Sequence, residues 1–273
     1  QTVAAVPLVL LTVVVAMHPF GPQLARGKLE VTVLDVGQGD AIFVAFPDGR
    51  TLLVDGGGSY AAPRVGGVRT GMDIGEQVVS PYLWERGVKR LDAVALTHAH
   101  MDHLDGLNAV LENFRVGELW VSRDADSAAY RELVERAREK GVRVVHRGRG
   151  ESFQWDGVSG RVLWPEETNQ AGPANNNDSL VLRLDHGGLA LLLPGDIERQ
   201  VESALATSGE NVRAEFLKVP HHGSQTSTTE ELLGATKPRV AVVSVGETNP
   251  FGHPHPDVVG RLRAAGIEVL RTD

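Results

Sequence analysis

The sequence has no cysteine. Disulfides and thiolate metal sites are thereby excluded, so any metal must be held by imidazole, carboxylate or amide oxygen. The absence also suits an oxidising exterior without requiring one. An excess of positive charge is missing too. The formal net charge is -8, which disfavours a protein that binds nucleic acid by electrostatics alone. Internal repeats and low-complexity linkers are absent, so nothing past the N-terminus divides the chain into modules. What is there, 273 residues at 42% hydrophobic content, suffices for one large domain with a sizeable core.

The N-terminus departs from that picture. Residues 2–17, TVAAVPLVLLTVVVAM, are apolar apart from two threonines. No basic segment precedes them and no cleavage pattern follows, which argues against a secretory signal. The run falls slightly short of the about 20 residues of a complete span and reads as the tail of a transmembrane helix. Residues 1–20 are therefore expected to end a membrane span, with 21–28 a linker and 29–273 the globular domain of a larger membrane protein. A buried core helix is the alternative, disfavoured by Pro7 and by the lack of an amphipathic period. Charge is also uneven: Arg131, Arg136, Arg138, Lys140, Arg143, Arg147 and Arg149 outnumber Glu132, Glu135 and Glu139. A solvated helix is the preferred reading there, ahead of a phosphate-tracking face.

From Lys28 onward strands and helices alternate. LEVTVLDVG, AIFVAF and TLLVDGG read as strands, with PDGR at 47–50 a hairpin turn between the last two. KRLDAVALT, ELWVS, VRVVH, GRVLW, SLVLRLD, LALLLPGD, EFLKVP, RVAVVSV and IEVLRT read the same way. Helices are expected near 76–87, 104–114, 127–140, 198–206, 228–235 and 256–265. Two strand-rich halves with helices between them predict two packed sheets covered by helices.

Ligand-type side chains collect where those strands stop. ALTHAHMDHLDG, residues 95–106, places His98, His100, Asp102 and His103 on a strand-to-helix loop. Alternating positions of an extended segment face the same way, so His98 and His100 can grip one ion while Asp102 and His103 reach a second. LLVDGG ends in Asp55, LLLPGD in Asp196, and LKVPHHGS in His221 and His222. A single strand-terminal aspartate is commonplace, because aspartate favours turns; the whole constellation is specific.

The order LLVDGG, THAHMDH, LLLPGD and KVPHHGS resembles the metallo-β-lactamase fold, an αββα sandwich of two mixed sheets with a dinuclear metal site at one edge. More narrowly, LDVGQGDAIFVAFPDGRTLLVDGG, NNNDSLVLRL, LKVPHHGS and SVGETNPFGHP resemble the C-terminal domain of the ComEC family, the DNA-uptake channel of competent bacteria. The resemblance covers residues 29–273 and implies a pattern that continues past Asp273. It implies a nuclease proposed to degrade the strand that does not enter the cell. It also implies a domain on the extracytoplasmic side of the cell membrane, attached to the channel portion of the same polypeptide and working with other competence DNA-uptake proteins.

By the same resemblance His98 and His100 hold one divalent ion, Asp102 and His103 the other, and Asp196 bridges both. His221 or His222 completes the second site, and the sequence leaves that choice open. Asp55 is expected to accept a hydrogen bond that orients a ligand rather than to bind metal itself. Asp102, His222 and His253 are the residues expected to act in catalysis, with His222, His221 or His253 as proton donor; a structural role for His253 or His255 stays equally open. Where the wider superfamily supplies a further histidine this chain has NNNDS, and Asn177 is the candidate ligand. An amide oxygen is harder than imidazole and favours manganese, with zinc still possible; the stretch as a plain loop is the alternative. Two ions roughly 3.5 to 4 Å apart suit phosphodiester hydrolysis, here of single-stranded DNA without sequence preference, since no base-reading helix is evident. The rival readings are a hydrolase of another ester and a non-catalytic module that guides DNA to the channel.

Overall fold

In the computed structural model the described residues are 21–58, 64–65, 68–69, 72–166 and 171–273. The apolar segment within 1–20, expected to end a membrane span, lies outside them. Among the described residues no helix is long and apolar enough to cross a membrane.

Two mixed sheets form the body. The first has the order β1-β2-β3-β6-β7-β8 and the second β15-β14-β13-β12-β11-β10-β9. In the first, β1 (Glu30–Val33), β2 (Ile42–Ala45) and β3 (Thr51–Val54) form an antiparallel meander. Strands β6 (Arg90–Leu96), β7 (Arg115–Val121) and β8 (Arg143–His146) then continue in parallel. The second sheet repeats the scheme. Strands β9 (Ser152–Trp155), β10 (Val158–Trp164), β11 (Val181–His186) and β12 (Leu189–Leu193) are antiparallel; β13 (Phe216–Lys218), β14 (Val240–Val243) and β15 (Glu268–Arg271) add in parallel. A separate two-residue hairpin, β4 (Arg64–Val65) with β5 (Val68–Arg69), and the strand β9 have no counterpart in the sequence reading. SFQW is too short and too polar to announce itself as a strand, and it lies at the sheet edge where one face stays wet.

Strand periodicity explains the layering. In β2, Ile42 and Val44 point between the sheets while Phe43 and Ala45 point to the outer helices. Both faces are buried, so the strand reads as an unbroken apolar run. Phe46, Leu52, Trp120, Leu182 and Leu184 fill the space between the sheets. The helices Leu107–Asn113 and Ala128–Glu139 cover the first sheet through Leu107, Val110 and Leu133. The helices Arg199–Thr207, Glu230–Thr236 and Pro256–Ala264 cover the second through Val201, Leu233, Val258 and Leu262. The result is the expected αββα sandwich.

Residues 21–28 do not hang free of the domain. Gln23 N–H donates to the Arg86 carbonyl at 2.8 Å, and Gly27 N–H to the Pro47 carbonyl at 3.0 Å. Both partners precede β6 or β3, so this segment lies at the start of the parallel strands, the end remote from Asp55 and His98. The basic stretch 131–149 is largely neutralised on the spot. Arg131 pairs with Asp126 at 2.7 Å, Arg136 with Glu132 at 3.2 Å, Lys140 with Glu112 at 2.7 Å and Arg147 with Glu151 at 2.9 Å. It is a largely ion-paired face.

Candidate metal centre

The parallel strands of both sheets end at one edge, and the loops that leave them carry the ligand-type residues. After β3 the chain turns through Asp55, which adopts a left-handed φ of 60, a conformation aspartate tolerates better than most residues. The carboxylate is fully buried and accepts from Thr97 N–H and Thr97 Oγ1–H, each at 2.7 Å. His103 Nδ1–H completes its set at 2.8 Å. The loops then pack backbone to backbone. A Cβ at Gly58 would stand 2.0 Å from the Met101 carbonyl, and one at Gly39 would stand 2.2 Å from the Asp102 carbonyl, so only glycine permits those approaches.

With Nδ1 tied to Asp55, His103 turns Nε2 to Asp196 Oδ2 at 3.1 Å. From the second sheet His222 comes to the same oxygen, Nε2 lying 3.2 Å from Asp196 Oδ2 and 3.5 Å from Asp102 Oδ2. Its other nitrogen donates to the Ser244 carbonyl at 2.9 Å, which fixes the ring and leaves Nε2 for the cluster. His221 and His222 both have left-handed backbone, φ 49 and φ 53. This costs on the order of 1–2 kcal/mol per residue and sends the two side chains apart. His222 is buried in the cluster, whereas His221 faces Glu198 at 3.2 Å and Asn176 at 3.4 Å. Of the two histidines left open by the sequence, His222 joins the cluster and His221 lies beside it.

Ligand atoms of Asp102, His103, Asp196 and His222 lie within 4.8 Å of one another, all buried. Asp102 Oδ1 and His222 Nε2 are buried and make no hydrogen bond. Two carboxylates this close in a buried place require positive charge, and without a metal, protons and a lysine supply it. Burial alone would push His103 down, yet the carboxylates of Asp196, Asp102 and Asp55 hold it well above the usual histidine range. Burial likewise opposes the charge on His222, but Asp196 and Asp40 push it up to about 9. Asp196 is held well below the usual carboxylate range because His222, His103 and Lys218 outweigh its burial. The donor set fits a divalent cation, which would replace those protons.

His98 and His100 sit differently. His98 Nδ1 is 3.1 Å from Thr97 Oγ1 and 3.3 Å from Ser179 Oγ. Those hydroxyl protons go to Asp55 Oδ2 at 2.7 Å and to the Asn176 carbonyl at 2.7 Å. His98 Nδ1 is therefore the donor, and Nε2 carries a bare lone pair toward His100 Nδ1, 3.0 Å away. Burial, reinforced by His103, pushes His98 well below the ordinary histidine range. It stays neutral, as a metal ligand must.

Asn177 is not brought to this pair. Its Oδ1 accepts Glu198 N–H at 2.8 Å and its carbonyl accepts the Trp164 indole N–H at 2.6 Å. The residue of that stretch that does reach His98 is Ser179, which also accepts Asp196 N–H at 3.0 Å. His253 lies next to His221, ring centroids 5.7 Å apart. Burial, with His221 and His222 nearby, pushes it down to about 4, which favours the neutral imidazole with its single N–H. The side chain of His255 instead caps the helix Pro256–Ala264.

Lys218 and Asp40 were missed in the sequence. Lys218 is 1% exposed; its ammonium pairs with Asp40 and, at 3.3 Å, with Asp196 Oδ1. The signal was available: a lysine between the buried Leu217 and Val219 demands a buried anion.

The family model described as the metallo-beta-lactamase superfamily matches residues 34–247. Among curated proteins, ComE operon protein 3 of Bacillus subtilis is 38% identical over 89% of this chain, and Competence protein ComA of Neisseria gonorrhoeae 34% identical over 91%. These relatives bear out the resemblance to the ComEC family. The chain spans only 32% and 31% of their lengths. Among solved structures, the metallo-beta-lactamase fold protein YhfI of Bacillus subtilis superposes with a TM-score of 0.53 at 11% identity, covering 89% of this chain and 96% of that one. At that identity the likeness is one of fold.

Proposed function

Because the chain belongs to the metallo-β-lactamase superfamily, we propose that it is a metal-dependent phosphodiesterase that cleaves single-stranded DNA without sequence preference. It would serve as the nuclease part of a competence DNA-uptake channel. The observation that carries this reading is the meeting of Asp102, His103, Asp196 and His222, with Asp102 Oδ1 and His222 Nε2 buried and without hydrogen bonds. Divalent ions held there supply Lewis-acid polarisation of a phosphoryl oxygen and counter-charge for the transition state.

The chain's own groups prepare the site. Asp55 aims His103, the Ser244 carbonyl aims His222, and Lys218 holds Asp196 Oδ1 so that Oδ2 faces both rings. Asp102, His103, Asp196 and His222 would hold one ion, and His98 and His100 would hold a second. The carboxylate-rich half favours manganese over zinc, since hard oxygen donors suit the harder ion. A neutral His253 beside His221 suits a hydrogen bond to substrate phosphate. One relative is named a competence protein, which supports DNA as substrate. It also supports a place at the cell membrane with the domain on the extracytoplasmic side, the channel portion of the polypeptide and other DNA-uptake proteins being its partners.

The test combines metal analysis with an assay of the purified chain. Loaded with manganese or zinc, it is expected to degrade single-stranded DNA, and Asp196→Asn is expected to lose both metal and cleavage. A metal-loaded chain that leaves DNA intact yet hydrolyses a carboxylic or thio ester would transfer the site to another ester class.

A further inference from the structure

The two sheets are unequal at one side. The first ends at β1, whereas the second runs on past β12 through β13, β14 and β15. The outward face of those added strands is covered, since Leu217, Ala241 and Val243 pack under the helices. The inward face is open in part. Register sets Phe216 beside Val240 and Val242 beside Leu270 on that face, and Phe216 is 41% and Leu270 48% exposed. Between this face and β1 lies a slot of about 320 Å³ whose walls include Leu29, Val31, Leu189, Leu191, Phe216 and Val242. Lys218, committed to Asp40 and Asp196, lines it on the side of the metal centre.

The exposed rim of the slot lies toward the strand starts. Leu29 directly follows the segment 21–28, Leu189 opens β12 and Phe216 opens β13. This is the end of the domain whose chain continues from the apolar run 2–17, a run with the composition of a membrane span. Apolar surface left open to water in one place marks a face that meets another apolar phase. Cations surround it. Lys28, Arg213 and Arg239 are exposed there, against the acids Glu215 and Glu268, of which Glu215 is already held by Ala190 N–H at 2.8 Å and by Arg213 at 3.5 Å. In a chain of net charge -8, an apolar slot with a basic rim has the two halves of an interfacial lipid site, one for hydrocarbon and one for phosphate. We propose that this end of the domain docks on an anionic phospholipid surface, an acyl chain entering the slot between β1 and β13 while phosphates meet Lys28 and Arg239. The proposal rests on the membrane placement given above and is independent of the nuclease chemistry. It turns the metal centre, at the other end of the strands, away from the bilayer.

The lack of cysteine allows single labels on the full chain. A dye is attached at Leu189→Cys, at Val31→Cys on the opposite wall, or at Glu135→Cys on the exposed side of the helix Ala128–Glu139. Each protein is mixed with vesicles of phosphatidylcholine, with or without phosphatidylglycerol; flotation reads binding and shielding from aqueous iodide reads burial of the dye. On vesicles containing phosphatidylglycerol the Leu189 and Val31 labels are expected to be shielded while the Glu135 label stays accessible. Lys28→Glu combined with Arg239→Glu should raise the lipid needed for that shielding about tenfold. Chain bound to vesicles with both slot labels open to iodide would overturn the docking and leave the membrane placement standing. No binding to either kind of vesicle would overturn both. Equal shielding on phosphatidylcholine alone would overturn the anionic surface, and shielding that grows with protein concentration in the absence of lipid would make the occupant a second copy of the chain.

Discussion

His98 and His103 belong to one loop, with ring centroids 4.3 Å apart, yet one is pushed well below the ordinary histidine range and the other well above it. Both are buried, and their hydrogen-bond partners differ. His98 is faced at Nδ1 by the hydroxyls of Thr97 and Ser179, which orient it without charge. His103 is set between Asp55 and Asp196, with Asp102 beside it. The edge site therefore has a neutral imidazole side and an anionic side that carries its own counter-charge. The contrast predicts unequal halves: the anionic side should hold a divalent ion firmly, and the imidazole side should depend on Asp196 to share its charge.

The largest way to break that contrast is to remove its fixed cation. Lys218 touches Asp40 and Asp196 in a buried setting, and burial, which would lower it, is outweighed by those two carboxylates, which raise it. Lys218→Met leaves both acids without that partner and is expected to cost about 3–5 kcal/mol in urea unfolding. Added manganese should recover more stability in the variant than in the wild type, because it supplies the missing charge at Asp196. Equal recovery in both proteins would mean that lysine and metal do not serve the same carboxylate.

How much of this was legible beforehand follows from where each residue sits. The motif from His98 to His103 is contiguous, and Asp55, Asp196 and His222 each follow an apolar strand, so strand ends alone marked them. The αββα sandwich was likewise readable, because β2, β3, β6 and β12 are apolar runs with turn residues between them. What stayed hidden depends on loop conformation. Whether His221 or His222 turns inward is set by left-handed backbone at both, which two consecutive histidines do not announce. Lys218 needed a decision that the end of its short strand is buried.

A smaller effect sharpens the role of the buried acceptor. Asp55 accepts three hydrogen bonds and offers its oxygens to Thr97 and His103 alone among its hydrogen-bond partners. Asp55→Asn would turn one of those oxygens into a donor facing donors. Metal affinity by calorimetry is expected to fall about 10–100-fold, the usual size for a residue that orients a ligand, with metal stoichiometry retained. Loss of one metal equivalent outright would make Asp55 a ligand.

Proton release separates the two sides directly. Although burial opposes its charge, Asp196 and Asp40 push His222 up to about 9, above the about 6.5 of an unfolded histidine. Its stabilisation is therefore complete below about pH 6.5 and lost as pH rises through about 9. A metal must displace that proton, so affinity on the anionic side should rise with pH over the same interval. Titrations in buffers of different ionisation enthalpy should show more protons released at His103 and His222 than at the neutral His98. Equal release from both sites would dissolve the distinction between the halves.

The smallest expected effect concerns Asn177. The expectation of a metal ligand meets an oxygen already engaged, because Oδ1 accepts the N–H of Glu198, the residue that opens the helix Arg199–Thr207. Its place is that of a loop-to-helix tie, and the loss of such a bond costs about 1 kcal/mol. Asn177→Ala should lower the unfolding free energy by that amount while leaving metal stoichiometry and the ratio of manganese-supported to zinc-supported cleavage unchanged. Ser179→Ala is the matched control, since Ser179 Oγ touches His98 Nδ1 and accepts Asp196 N–H; it should weaken metal binding at a similar cost in stability. If Asn177→Ala shifted the metal ratio and Ser179→Ala did not, the amide oxygen would be a ligand after all, and the imidazole side would hold its ion through three donors rather than two and a shared carboxylate.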